Sequence, residues 1–260
     1  MKNVITSFIA SLALIIMVSF TANAESIQMG ISVDQVPIDS SFDGADIVIF
    51  GSIETKEQAA LFRGEYDVVI RVEGAPEDVI IRKKERIGGI WINNQAEIYQ
   101  SVPSFYSILS ARPLNLISNS IELGPASLGI DNLGKNIPVE GEKTLIINPG
   151  EFSDALRRLK IQQNLFSEVP GTLKQLSPSL FRARLAIPAN VPIGEHKVTA
   201  YLFRKGEILG TNESSFKIEK VGFEAWIYNL AHENGLLYGI MAVLLAIFTG
   251  WAANAIFRKN

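Results

Sequence analysis

The spacing of apolar and polar residues divides the chain into distinct stretches. Val4 to Phe20 is a 17-residue apolar run, diluted by Thr6, Ser7, Ser11 and Ser19. Short runs rich in Val, Ile and aromatics follow at 27–33, 45–53, 66–72, 78–85 and 96–102, each bounded by Gly, Pro or Asp. A second group lies at 172–176, 181–187, 196–203 and 214–221. Such runs, where they alternate, predict strands with one face toward a core. In FRARLAI, Phe181, Ala183, Leu185 and Ile187 share one face, with Arg182 and Arg184 opposite. VPIGEHKVTAYLFRKGEIL reads as a strand pair of the immunoglobulin-sandwich type. Pro192 and Gly194 make its leading turn, and Lys205-Gly206 a tight hairpin.

Between the groups the period lengthens to that of a helix. Asn148 is placed as N-cap, Pro149 at the first position and Glu151 at the third. Phe152, Ala155, Leu156, Leu159 and Phe166 then follow helical spacing, with Arg157, Arg158 and Lys160 on the other side, and Pro170-Gly171 closes the segment. Residues 103–147 read as short helices around SFYSILS and PLNLISN. The second β group spans about 50 residues, marginal for an independent core. It therefore packs on the first group or completes one sandwich with it. The expected fold is mainly β: an immunoglobulin-like β-sandwich ectodomain with a helical insertion, then one C-terminal transmembrane helix.

Both ends of the chain point to a membrane. Lys2 precedes the first apolar run, and Ala22-Asn23-Ala24 places small residues at -3 and -1 of a cleavage site. This pattern predicts an export signal over 1–24, cleaved after Ala24. Residues 236–257 carry no formal charge over 22 residues, ~33 Å of helix, which is enough for one crossing. Arg258-Lys259 follow directly, so the C-terminus is expected in the cytoplasm and the domain outside. The divisions are 25–112, an N-terminal β module; 113–170, a helical or irregular connection; 171–221, a second β module packed on the first; 222–235, a juxtamembrane interfacial helix; 236–257, the span; and 258–260, the tail. The expected location is a bacterial inner membrane, crossed once, with the ectodomain in the periplasm.

Composition narrows the chemistry. Setting aside Lys2, Arg258 and Lys259 leaves 21 cations against 27 acids, a formal charge of -6, which argues against a nucleic-acid partner. The chain has no cysteine, so neither a disulfide framework nor thiolate chemistry is available. The two histidines, His196 and His232, stand in no metal-ligand spacing, and no Ser is framed as a nucleophile elbow. The reading is non-enzymatic, without cofactor or metal.

Two stretches carry candidate contacts. Arg82, Lys84 and Arg86 fall on one face of a strand, with Lys83 and Glu85 on the other, and Trp91 follows after Gly88-Gly89. The bland reading is a solvated strand whose cations deter edge pairing, with Trp91 in the core. The sharper one is a docking surface for acidic protein, anionic lipid or a small anion, with Arg112 as a further cation. Near the membrane, Phe223, Trp226, Ile227 and Leu230 fall at i, i+3, i+4 and i+7, which fits an interfacial helix anchored by Phe223, Trp226 and Tyr228; a linker helix packed on the β domain is the alternative. Within the span, Ala242, Ala246, Gly250 and Asn254 recur every four residues, a face suited to close helix packing.

The stretches VIIRKKERIGGIWIN (79–93), VPSFYSILSARPL (102–114), IPANVPIGEHKVTAYLFRKG (187–206) and KVGFEAWIYNLAHENGLLYGIMAVLLAIFTGWAANAIFRKN (220–260) together resemble a transmembrane protein family of alphaproteobacteria whose function is uncharacterised. The resemblance covers 25–260, including the turn-like Phe42-Asp43-Gly44. Genes of that family often stand beside those of sulfite-exporter-type permeases, which implies an accessory role, and the match of the basic strand and Trp91 to a family motif strengthens the docking reading of 80–93. The resulting expectation is an accessory or scaffold protein that contacts the lipid bilayer and pairs with a permease or with itself. A periplasmic module that binds or senses an anion is the alternative.

Overall fold

The computed structural model describes residues 25–133, 139–140 and 149–257. The expected signal at 1–24, the N-cap Asn148 and the basic end Arg258-Lys259 lie outside the described residues. In chain order the strands are β1 (Ser26–Ile31), β2 (Gln35–Ile38), β3 (Gly44–Glu54), β4 (Tyr66–Glu73), β5 (Pro76–Ile87), β6 (Ile90–Pro103), β7 (Tyr106–Ser110), β8 (Val139–Glu140), β9 (Phe166–Pro170), β10 (Leu173–Gln175), β11 (Leu180–Pro188), β12 (Gly194–Arg204) and β13 (Glu207–Lys220). The helices are α1 (Gln58–Phe62), α2 (Leu114–Ile117), α3 (Ser120–Leu123), α4 (Ile130–Leu133), α5 (Pro149–Gln162), α6 (Phe223–Glu233) and α7 (Gly235–Phe257).

Among the described residues the fold is mainly β, in three sheets, and closes on one apolar helix. A four-stranded sheet runs β1-β3-β11-β10, and a six-stranded sheet runs β2-β13-β12-β4-β7-β9. The third sheet, β5-β6-β8, is built on a long hairpin. Strands from both sequence groups share the first two sheets: β11 pairs with β3 over nine residues, and β12 pairs with β4 over eight. The two groups therefore complete one interleaved body. An immunoglobulin-type order is not established by ladders in which β2/β13 and β7/β9 are parallel.

Local physics explains the elements that alternation predicts. On β11, Phe181, Ala183, Leu185 and Ile187 are buried, while Arg182 and Arg184 are exposed. The β12–β13 hairpin turns at Lys205 (φ 51°) and Gly206 (φ 91°), both left-handed as a type I′ turn requires.

The stretch expected to hold a helix at SFYSILS is instead the strand β7, with every residue buried. It lacks alternation because both of its faces are covered. The Tyr106 hydroxyl donates to the Ser127 carbonyl at 2.7 Å and accepts from the Gly129 amide at 3.0 Å, which ties residues 114–133 across one face. Arg71, on that same face, donates to the Ala126 carbonyl. Alternation leaves Val68, Ile70, Val72, Ala200 and Leu202 on the other face, all buried in the same core as the four-stranded sheet.

A second correction concerns 149–170. Helix α5 starts at Pro149 as expected, but it ends at Gln162, and Phe166 belongs to β9, parallel to β7. The buried side of α5 is also rotated from the expected one. Phe152, Leu156 and Lys160 are buried, whereas Leu159 is exposed. Lys160 is held there by an ion pair with Glu77 and by the Phe166 ring, whose centroid is 5.9 Å from Nζ. A paired ammonium on a long apolar stem can occupy a position that a residue-by-residue reading assigns to leucine.

Candidate functional site

The basic stretch 80–93 folds as an arm. Strand β4 passes into β5 through Gly74-Ala75, and β6 passes into β7 through Ser104-Phe105. The Gly74 amide donates to the Phe105 carbonyl at 2.8 Å and the Ser104 amide to the Ala75 carbonyl at 3.0 Å. The β4/β7 ladder is therefore carried on, beyond the end of its sheet, as the β5/β6 ribbon. A Cβ on Gly74 would lie 2.9 Å from the amide nitrogen of Phe105, a residue held in the ladder, so the joint needs glycine. At the far end Gly88 (φ 62°) and Gly89 (φ 92°) close a two-residue turn between the paired Ile87 and Ile90.

Cross-strand register sorts the side chains of the arm. Arg82 faces Ala96, Lys84 faces Asn93 and Arg86 faces Trp91, with a register shift between Lys83 and Lys84 that keeps the three cations on one side. All three are exposed. On the opposite side Ile81 is buried, and Lys83 bonds Glu151 of α5 at 2.9 Å, which raises the lysine above its ordinary pKa. Between the arm and α5 lies a cleft of about 430 Å³, lined by Phe152 and Arg158 and, from the arm, by Arg82 and Lys84 as well as Ile81 and Lys83. Among the described residues Arg82, Lys84 and Arg86 form no ion pair. The tip is apolar and open to solvent: Ile87 is 48 % exposed, Ile90 66 % and Trp91 68 %. Trp91 is thus no core residue, because beyond Ala96 the ribbon has left the body that could cover it.

Arg112 does not join this cluster. Its guanidinium clasps Asp67 with Nε at 2.8 Å and Nη2 at 2.5 Å, a bidentate pair that raises the arginine further. Asp67 is the second residue of β4, whereas the arm leaves beyond Glu73, six residues or ~20 Å along the strand. The anion-binding set expected from the sequence is therefore split between opposite ends of one ladder.

The C-terminal anchor leaves from the same end as the arm. Ser214 of β13 pairs with Val198, and Val198 pairs with Val72 of β4, so β13 runs on past the Glu73 end before reaching Lys220. Helix α6 follows, 11 residues within the stretch 222–235, and then α7. On α6, Trp226 and Tyr228 are about half exposed, while Ile227 and Leu230 are partly covered. Tyr228 stacks on His232 with centroids 4.0 Å apart, and the Lys220 Nζ lies over the Tyr228 ring, 5.8 Å from its centroid. The side chain of Phe223 lies outside the described residues. Within α7, Gly235–Ala255 has a mean hydropathy of 2.0, and none of its residues is buried against the described chain. Ala242, Ala246, Gly250 and Asn254 are all exposed on it.

The histidine most open to a catalytic reading is a core residue. His196 is fully buried, stacked on Phe216 at 5.2 Å and tilted against Phe105 at 5.8 Å. Its Nδ1 lies 3.2 Å from the Gly194 carbonyl, and burial depresses its pKa. Among the described residues no group of three His, Asp or Glu side chains could hold a metal. The folded state thus binds a proton at His196 less readily than the unfolded chain. Stability is complete above the unfolded value of ~6.5 and falls as the pH drops below it, by at most ~1.4 kcal/mol per unit. Urea midpoints measured from neutral to mildly acidic buffer should show a steeper decline for the natural chain than for His196→Leu. Parallel curves would remove His196 from the titration.

A β-rich domain closed by one exposed apolar helix defines a class: a single-pass membrane protein with an extramembrane β body. A family model described as "Putative transmembrane protein (Alph_Pro_TM)" matches residues 26–259, and the chain belongs to that family. No curated protein matches it.

Proposed function

We propose that this is a non-enzymatic accessory protein that holds an integral-membrane partner through its span. In this reading the signal is removed after Ala24, the β domain stands in the periplasm, and α7 crosses the inner membrane with its C-terminus in the cytoplasm. The partner is a permease, with the sulfite-exporter type suggested by family resemblance, or a second copy of the chain. The observation that carries the reading is the face of Ala242, Ala246, Gly250 and Asn254, which none of the described residues covers. In lipid the apolar effect offers no drive between helices, so association depends on close backbone approach and polar contacts along such a face.

Gly250→Ile is the test, because a branched side chain at the centre of the face blocks close approach. Contacts of this kind contribute ~0.6–2 kcal/mol, so the partner should be retained about 3- to 30-fold less well. Co-purification from native membranes after mild solubilisation measures this directly. Retention at the natural level, in protein that still reaches the membrane, would reject the span as the holding surface.

A further inference from the structure

We propose that the β5/β6 arm is a second membrane contact. Its tip of Ile87, Ile90 and Trp91 rests in the interface of the bilayer that holds α7, and Arg82, Lys84 and Arg86 engage phosphates of anionic lipid. The inference rests on the anchored reading above, and adds to it a defined lipid-binding element.

Three observations carry the proposal. The first is placement: arm and anchor leave the six-stranded sheet from the same end. The second is reach. Gly88 lies fifteen residues beyond Glu73, ~50 Å of extended ribbon. The tether from the same level, made of the last residues of β13 and helix α6, spans ~45 Å at most before the helix Gly235–Phe257 begins. The arm is thus long enough to touch the surface that the anchor enters.

The third observation is the order of chemistry along the arm. Apolar side chains and a tryptophan occupy the turn, and the three cations follow behind them on one face. That sequence matches the gradient of a bilayer surface, with the indole at headgroup level and cations at the phosphates. It is also local, since the exported portion as a whole carries a formal charge of -6. A hairpin with open edges cannot enter the hydrocarbon core, where unpaired backbone groups go unsatisfied, so contact stops at the interface. Anchoring by α7 keeps the tip at a high effective concentration near lipid, and a contact too weak to bind alone then becomes populated.

The absence of cysteine allows a single reporter. The full-length chain carrying Ile90→Cys, labelled with an environment-sensitive nitrobenzoxadiazole dye, is reconstituted into vesicles of phosphatidylglycerol and phosphatidylcholine in equal amounts. Glu207→Cys, at the opposite end of the sheet beside Arg204, is the reference. At position 90 the emission should shift to the blue and be quenched by lipids bearing a shallow spin label, while position 207 stays in water. Each cation near an anionic surface adds about fivefold to partitioning. Combined Arg82→Glu, Lys84→Glu and Arg86→Glu substitutions should therefore abolish most of the quenching, as should vesicles of phosphatidylcholine alone. A water-like spectrum at position 90 overturns the proposal. So does a blue shift without lipid quenching, which would assign the tip to protein, either a second copy or another chain. Alkaline carbonate extraction separates this failure from the failure of anchoring: a chain that stays in the membrane with a wet tip loses only the arm contact, and a chain that is extracted loses both.

Discussion

Replacing Gly51 with alanine is expected to destabilise the β body by about 3 kcal/mol, near the upper end of overpacking costs. Gly51 lies in the middle of β3, bonded to β1 on one side and β11 on the other, opposite Met29 and Phe181. A Cβ there would stand 2.1 Å from the Gln28 carbonyl oxygen and 2.4 Å from Cζ of Phe181. The first of these atoms is backbone in a paired strand and the second belongs to a buried ring, so neither can yield without moving a ladder. Gly30 provides the control on the neighbouring strand. An added Cβ at Gly30 meets only the ring of Phe50, at 2.9 Å, and that ring is half exposed and free to turn. Urea denaturation followed by circular dichroism should show a large loss for Gly51→Ala and a small one for Gly30→Ala. Equal midpoints for the two variants would refute the packing of Phe181 over the glycine.

Phe203→Ala should cost about 3–5 kcal/mol, the range for removing a fully buried aromatic ring. Phe203 has no exposed surface and sits on β12 beside a register shift, where Leu202 pairs with Gly210 and Phe203 with Ile208. Its strand is interior to the six-stranded sheet, so little main-chain relaxation is available to close the space left behind. A domain has only ~5–15 kcal/mol of stability in total, so this change brings it close to unfolding at ordinary temperature. Phe62, 74 % exposed at the end of α1, should tolerate alanine almost without effect. Thermal unfolding of the pair distinguishes the buried ring from the surface one.

The site was legible in its residues but not in its arrangement. The one-sided placement of Arg82, Lys84 and Arg86 follows from strand alternation, and the register shift in the ribbon leaves it intact. Gly88-Gly89 could have been read as a two-residue hairpin turn flanked by isoleucines, which would have joined 78–85 and 90–102 into one arm. Trp91 could not be placed from its own chemistry, because tryptophan serves cores and interfaces alike. Arg112 was grouped with the cations by charge alone, and its partner Asp67 is 45 residues away.

The sequence by itself determined the strands that keep one solvated face, such as β11, the left-handed turn at Lys205-Gly206, the start of α5 at Pro149, and the closing apolar helix. Each of these is written in local spacing or in the φ a residue tolerates. Only the tertiary structure decided that β7 and β9 are strands, that Lys160 points inward, that strands of both groups share two sheets, and that the arm leaves beside the anchor. Burial on both faces erases alternation, and pairing joins residues far apart in the chain. Local pattern states which side of a strand avoids water, whereas the choice of neighbour belongs to the packed whole.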